Sequence, residues 1–244
     1  MAGLMPIVAG GPGDQFNVTD DNRNHPLGSV MLFADGRRYK YGRAAATEIA
    51  SGQLCQQTLN VADHDELAVD TPAVGTNVFV VTNGATTAIT VDDHKDGYLN
   101  VEDDTGEAYL YTIRSNSAAA TNGACTVTTY EPVQVALGAA ATVLLYKIPM
   151  AEVILHPAPA TALLVGVTCR IVTASDFGWF QTWGPASVLI EGTTVINERV
   201  IDSATADGAV APTASTAAGE ENYVGVTMEV AATTEYGLIF LQMA

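Results

Sequence analysis

After residue 28 the chain is dominated by short runs in which apolar and polar side chains alternate at period two, separated by turn signals, the pattern of half-buried strands. SVMLFAD and RRYKYGRAA flank the Asp35-Gly36 turn. Residues 74–137 contain TNVFVVTN, TAITVDD, GYLNVEDD, EAYLYTIRS and ACTVTTYEPVQVAL, divided by Asn83-Gly84, Asp96-Gly97, Thr105-Gly106 and Asn122-Gly123. That spacing predicts an antiparallel meander. TVLLYKIPMAEVILHP and TTVINERVI supply further strands, and YVGVTMEVAATTEYGLIFLQM closes the chain as two more. Residues 63–72 are expected to form an acidic loop, and 202–222 a loop of Gly, Ala, Ser and Thr. Residues 44–57, AAATEIASGQLCQQ, admit a short helix with Thr47 as cap and Gly52 as its weak point.

The stretch 166–191, GVTCRIVTASDFGWFQTWGPASVLIE, holds both tryptophans of the chain and has the form of a β-hairpin joined through Thr173-Ala174-Ser175-Asp176. At period two Trp179, Gln181 and Trp183 share one face, with Phe180 and Thr182 on the other. Two large rings on one face demand a cover, from the rest of the chain or from another subunit. A local echo links VTASDFGWF at 172–180 with AATTEYGLIF at 231–240: each places an acid, an aromatic and a glycine before an apolar strand, which suggests equivalent turns at Gly178 and Gly237.

These patterns predict an all-β fold, an antiparallel barrel or sandwich body with an extended N-terminal arm and at most one short helix. The expected division is an arm at 1–26, a β-rich domain at 27–148 and a hairpin-rich domain at 149–244, the latter two forming separate domains or one continuous body. The arm is rich in Gly, Pro, Asn and Asp and has no core of its own, yet it spaces Leu4, Met5, Ile7, Val8, Phe16 and Val18 along its length. An extended segment of that kind is expected to order against a neighbour and to be dispensable for folding.

Composition narrows the function. The 244 residues carry a formal net charge of −17 with only 10 Lys and Arg, which argues against nucleic-acid binding and against acidic membranes. Residues 1–60 hold five basic and five acidic residues, so the whole excess lies beyond them, and a neutral front and an acidic body are expected to face different surroundings. Cys55, Cys125 and Cys169 match no metal or redox spacing and are expected to be buried free thiols. The first residues have no basic region ahead of their apolar ones, as a secretory signal would, and the longest apolar run, 135–146, is too short to span a bilayer. Synthesis in a cytoplasm is the expectation.

No catalytic motif stands out. Residues 92–103 place Asp92, His94, Asp96, Gly97 and Asp103 at the offsets of a calcium loop, but a histidine sits where an oxygen ligand belongs and the bidentate glutamate is an aspartate. An Asp-Gly turn explains the same residues, and neither a metal nor another cofactor is expected. His25, His64, His94 and His156 are scattered and form no ligand pair in sequence. Asp103-Asp104 and Glu220-Glu221 sit in turn and loop signals, where solvation is the default, although a glycosidase pair can meet in space without a motif.

The order of RRYKYGRAA, SGQLCQQ, DGYLNVEDDTGEAYLYTIRSN, GVTCRIVTASDFGWFQTWGPASVLIEG, ADGAVAP and VGVTMEVAATTEYGLIFLQ resembles tailed-bacteriophage virion structural proteins, some of which are head decoration or cement proteins. The resemblance covers most of 28–244, its most specific pieces being GEAYLYTI at 106–113 and FGWFQTWGPA at 177–186. It implies a non-enzymatic protein on the outer surface of a capsid, made in the host cytoplasm, with the major capsid protein and copies of itself as partners and a homotrimer as the favoured assembly. The rivals are a tail, fibre or receptor-binding component, and a glycan-active enzyme on a β scaffold. Under this expectation the interaction residues are Leu4, Ile7, Phe16, Val18, Trp179, Gln181 and Trp183.

Overall fold

The computed structural model describes residues 7–19, 23–213 and 222–243. The chain is 41% strand and 3% helix, and among the described residues no helix reaches seven residues, so the all-β expectation holds. The strands are β1 (Ile7–Ala9), β2 (Val30–Leu32), β3 (Arg38–Arg43), β4 (Leu54–Gln57), β5 (Leu67–Ala68), β6 (Val78–Thr82), β7 (Tyr98–Val101), β8 (Leu110–Asn116) and β9 (Ala124–Thr129). They continue with β10 (Thr142–Tyr146), β11 (Val153–Leu155), β12 (Leu164–Thr168), β13 (Phe177–Leu189), β14 (Arg199–Asp202), β15 (Val210–Pro212), β16 (Tyr223–Thr227) and β17 (Tyr236–Gln242). The described elements include two 3₁₀ turns, Asp14–Phe16 and Ala62–His64.

The chain forms two compact units. One is the continuous segment Asn60–Ile148; the other joins Gly3–Leu59 to Pro149–Ala244. The expected division is therefore changed in one respect. Its boundary at 148/149 coincides with the end of the inserted unit, but residues 27–59 fold with the C-terminal part because β3 and β4 find their partners in β13, β11 and β12. The charge picture changes with it. The inserted unit carries twelve acidic and three basic residues, while the neutral first 59 residues share a unit with acidic ones.

The inserted unit is a six-stranded antiparallel sheet in the order β5-β10-β7-β8-β9-β6. A bridge between Val69 and Val81, with the Asp70 N–H donating to the Val80 carbonyl at 2.9 Å, brings its two edges together into a nearly closed barrel. Alternate residues point inward: Phe79 and Val81 of β6, Leu99 and Val101 of β7, Tyr111 and Ile113 of β8, Val143 and Leu145 of β10. That is the period-two signal of the sequence turned into a core. TAITVDD contributes no strand. Ile89 makes a single bridge to Ala119, and residues 91–96 form a turn in which Asp92 and Asp96 take positive φ.

The second unit is built on one eleven-stranded sheet whose main path is β1-β2-β3-β13-β17-β16-β14-β15, with β12 bridging β13 to β4 and β4 pairing onward to β11. All pairs are antiparallel except β1 with β2. β13 is the hub. Its first half lies between β3 and β12, and its second half pairs with β17 over Trp183–Leu189. The core beside it contains Leu54, Val167, Val188, Val200, Val210, Val224, Ile239 and Leu241.

Several local expectations give way to tertiary pairing. No helix forms at 44–57: Ala44 and Ile49 make bridges to Val153 and Val172, and all four residues of β4 are buried between β11 and β12. The small Ala-rich segment has more to gain by joining the sheet than by a helix too short to be stable alone. The 202–222 loop contains β15, which pairs with β14. Gly178 and Gly237 are not turn residues; each is the second residue of a strand, where a Cβ would press on Val172 or Ala231. The echo survives in the turns themselves. Ser175 and Thr234 both take left-handed backbone, and the Asp176 and Glu235 N–H groups close the same i to i−3 turn onto Thr173 and Ala232.

The described part of the arm is ordered on its own chain. Ile7–Ala9 adds a parallel strand to β2, and the Gly10 N–H donates to the Leu32 carbonyl at 2.8 Å. Thr19 exchanges both backbone hydrogen bonds with Phe177, at 2.9 and 2.8 Å. The edges of β2 and β13 thus supply backbone partners to these arm residues.

Candidate interaction site

β13 carries three of the expected interaction residues, and its geometry separates them. Against β3, Phe177 pairs with Arg43, Trp179 with Tyr41 and Gln181 with Tyr39, but Trp183 pairs with Arg38, so one residue of β13 is bulged out. Gly184 follows with φ +86°, which a Cβ would strain, and the strand turns from β3 to β17. Because the side-chain period is two, the bulge ends the shared face. Trp179 and Gln181 lie together. Trp183 instead stands against Arg38, whose guanidinium is 5.4 Å from its ring centre, and meets Phe240 edge-on.

Trp179 is buried within its own subunit. Its ring lies 5.0 Å from Tyr41 and 5.3 Å from His25, and Tyr41 stacks on Phe177. His25 and Thr19 come from the arm, Thr19 Oγ1 and the Tyr41 hydroxyl being 3.3 Å apart, so the arm supplies the cover that the aromatic face requires. Val18 is half-buried near Gly178. Ile7 and Phe16 stay exposed, at 72% and 46%, while Trp183 is half-buried. Leu4 lies outside the described residues.

Gln181 and Phe16 meet at a cleft of about 390 Å³, which Ile7, Val18, Trp179 and Trp183 do not line. Its walls come from the 3₁₀ turn (Gln15, Phe16), β3 and the residue before it (Arg37, Tyr39), the 51–52 turn, β12 with Cys169, the middle of β13, and Tyr236. The polar groups are largely held in place. Gln181 Nε2 donates to the carbonyls of Trp183 (3.1 Å) and Pro185 (2.8 Å), and the Cys169 thiol faces Gln181 Oε1 at 3.7 Å. Arg37 donates to Asp35 at 2.8 Å and to the Tyr39 hydroxyl at 3.0 Å. In a chain with 27 acidic residues, no carboxylate among the described residues lines the cleft, and Arg37 is the one charged residue of that lining. Burial pushes the Cys169 thiol up to about 12 and the Tyr39 phenol up as well. Both stay protonated at neutral pH, so neither is an activated nucleophile or base. The arrangement is fit to bind. Arg37, Tyr39, Cys169 and Tyr236 carry no joint signal in the sequence, since three distant segments bring them together; the echo touches Tyr236 and the thiol count Cys169, neither as part of a cleft.

The remaining chemical candidates resolve into structural roles. His156 and Asp202 form a buried pair with Nε2 3.6 Å from the carboxylate, but His156 Nδ1 already accepts the Gly208 N–H at 3.2 Å. The ring is fully buried, so it is not presented to a substrate. Asp103 accepts from the Thr142 amide (2.7 Å) and Asp104 from the Ala140 amide (3.1 Å), each stapling a loop. Glu220 and Glu221 lie outside the described residues. In the calcium-like stretch Asp93 pairs with Lys147 at 2.8 Å, and the His94 side chain is buried away from solvent. Cys55 and Cys125 are buried and Cys169 half-buried, all three as free thiols.

A second surface feature escaped the sequence reading. Residues 194–198 run beside 227–231, tied by Thr194 N–H to the Ala231 carbonyl, Asn197 N–H to the Thr227 carbonyl, and the Thr227 hydroxyl to the Val195 carbonyl. The Met228 N–H donates to Leu238 at 2.8 Å. Val195, Ile196, Met228, Val230 and Leu238 on these adjoining segments are all between 37% and 65% exposed. A cluster of large apolar side chains left in water is the kind of surface through which proteins associate. Among the described residues no helix is long and apolar enough to cross a membrane. The chain matches no family model, no curated protein and no solved structure.

Proposed function

We propose that this protein is a non-enzymatic structural component of a tailed-bacteriophage virion, of the decoration or cement type, which attaches to the outer surface of the head and stabilises the shell. The observation that carries the reading is the exposed apolar cluster of Val195, Ile196, Met228, Val230 and Leu238 in an otherwise acidic β protein whose polar clusters are spent on structure. Burying such a cluster contributes about 25 cal/mol per Å² of apolar surface, and copies joined in an oligomer multiply that gain by avidity over repeated sites. The resemblance of GEAYLYTI and FGWFQTWGPA to virion proteins adds the context. The major capsid protein is the partner, and a homotrimer is favoured because shells offer threefold and quasi-threefold sites. The acidic remainder of the surface keeps particles apart.

The test is binding of the purified protein to undecorated shells, with copy number per particle counted by imaging. Hundreds of copies support decoration. A few to a few dozen, at the tail, support the second reading, a tail or fibre component that binds a receptor; the cleft favours that reading, since the rings of Phe16 and Tyr236 stand half-exposed at its wall. A glycan-active enzyme gains no support from a cleft without carboxylates.

A further inference from the structure

Two histidines that are 30 residues apart in sequence meet inside the inserted barrel unit. His64 ends the 3₁₀ turn Ala62–His64, and His94 lies in the turn ahead of β7. Their ring centres are 4.9 Å apart in an edge-on arrangement, both side chains are buried, and none of the four ring nitrogens has a hydrogen-bond partner. A neutral imidazole leaves one N–H unpaired in such a place; a protonated one leaves two and brings a charge with it.

The charged groups that face the pair do little to offset this. Asp93 attracts both rings, but Lys147, 2.8 Å from it, repels both. Asp63 attracts His64, yet its carboxylate already accepts the amides of Ala85, Thr86 and Thr87 at 3.0, 2.7 and 2.7 Å. The Thr87 backbone approaches His64 and also favours its charged form, without closing a hydrogen bond of ordinary geometry. Each ring, once charged, would repel the other.

Three segments meet around the pair: the 62–64 turn, the loop after β6 and the 92–97 turn. Asp63 ties the 62–64 turn to the loop after β6. The 92–97 turn is anchored by the backbone N–H of His94, which donates to Asn116 Oδ1 at 2.9 Å, and the Gly97 backbone packs on Tyr146 at the end of β10. We propose that the buried His64–His94 pair is an acid-sensitive latch: packed and neutral at neutral pH, it releases the 62–64 and 92–97 turns, and with them this end of the barrel, when the imidazoles take up protons.

The sign follows from which state binds protons more readily. Burial holds His94 down at about 4 and His64 below the ordinary 6.5. The opened form takes up protons first, so the closed form is fully favoured above pH 6.5 and loses ground as pH falls from 6.5 towards 4. For His94 alone the open population should rise about 30-fold between pH 7.5 and pH 5.

The experiment is amide hydrogen exchange on the full chain at both pH values, corrected for the intrinsic rate, together with an NMR titration of the histidine ring protons. The expected result is a loss of protection on the order of 30-fold at residues 62–65 and 90–97, with β13 unchanged, and two histidines titrating below 6.5. His94→Phe should abolish the loss. Unchanged protection in the wild-type barrel, a loss spread equally over β13, or a His94→Phe protein that opens like the wild type would each overturn the proposal. Should that variant not fold, the wild-type titration decides: no histidine below 6.5 overturns it.

Discussion

Gln181 donates its side-chain amide to the carbonyl of Pro185 at 2.8 Å, and with a second bond to Trp183 it clamps the bulge at which β13 passes from β3 to β17. The side chain is buried, so its loss would take this donor from two carbonyls where water does not readily replace it. Gln181→Leu is expected to cost about 2–3 kcal/mol, the usual penalty for stranding buried polar partners. Chemical denaturation measures it; a change under about 0.5 kcal/mol would mean that the bulge holds without the clamp.

Removing residues 1–26 should do more than weaken attachment. It strips the Thr19 pairing from Phe177 and the His25 ring from Trp179. The truncated chain is expected to melt lower and to show tryptophan emission shifted to longer wavelength. A variant with the wild-type melting point and emission would show that the arm is dispensable for folding after all.

Gly225 lies opposite Leu241 in the β16–β17 pair, where a Cβ would overlap the Phe240 carbonyl. Backbone cannot swing aside as a side chain can. Gly225→Ala is therefore expected to destabilise by about 1–3 kcal/mol or more, within the range for overpacking. Thermal melts against Gly75→Ala, a position with open space around it but a positive φ, separate crowding from backbone strain.

If the apolar cluster is the docking surface, Ile196→Asp and Val230→Asp should abolish binding to undecorated shells while leaving the melting temperature within a few degrees, because both side chains already face water. Both residues are single contributors to the surface and neither supports the core. Binding at wild-type affinity by the double variant would move the attachment site elsewhere.

Acid should act on the second unit in a lower window than on the barrel. Burial pushes the Asp202 carboxyl up, but His156 and the amides of Asn222 and Ala160 outweigh it, and the group lies below its ordinary 3.8. The stability it contributes is present above about pH 4 and is lost as pH falls further. Asp202→Asn should flatten the dependence of unfolding free energy on pH in that lower range; an unchanged slope would exclude Asp202 as its source.

Much of the fold was legible because strand signals are local. The alternation in VFVVT, YLNV and TVLLY reports which side of a sheet each residue faces, and Asn122-Gly123 or Asp35-Gly36 report where the backbone can take positive φ. Where local signals were weak, the sheet decided. Residues 44–57 looked able to form a helix until β11 and β12 offered both edges of β4 a partner. Of the expected interaction residues, Gln181 and Phe16 do share a cleft, but their neighbours Arg37, Tyr39 and Cys169 come from turns and strands that no spacing rule connects.

By itself the sequence determined most of the strand positions, the acidic composition, the absence of a recognisable catalytic motif and the importance of the tryptophan strand, because each depends on residue type and on periods of two or three positions. Tertiary structure decided the rest. It placed Trp179 in the core and turned Trp183 toward Arg38, since one bulged residue inverts every face that follows it. It joined residues 27–59 to the C-terminal part of the chain and brought His64 onto His94, since pairing between distant strands is settled by which edges and cavities remain to be filled.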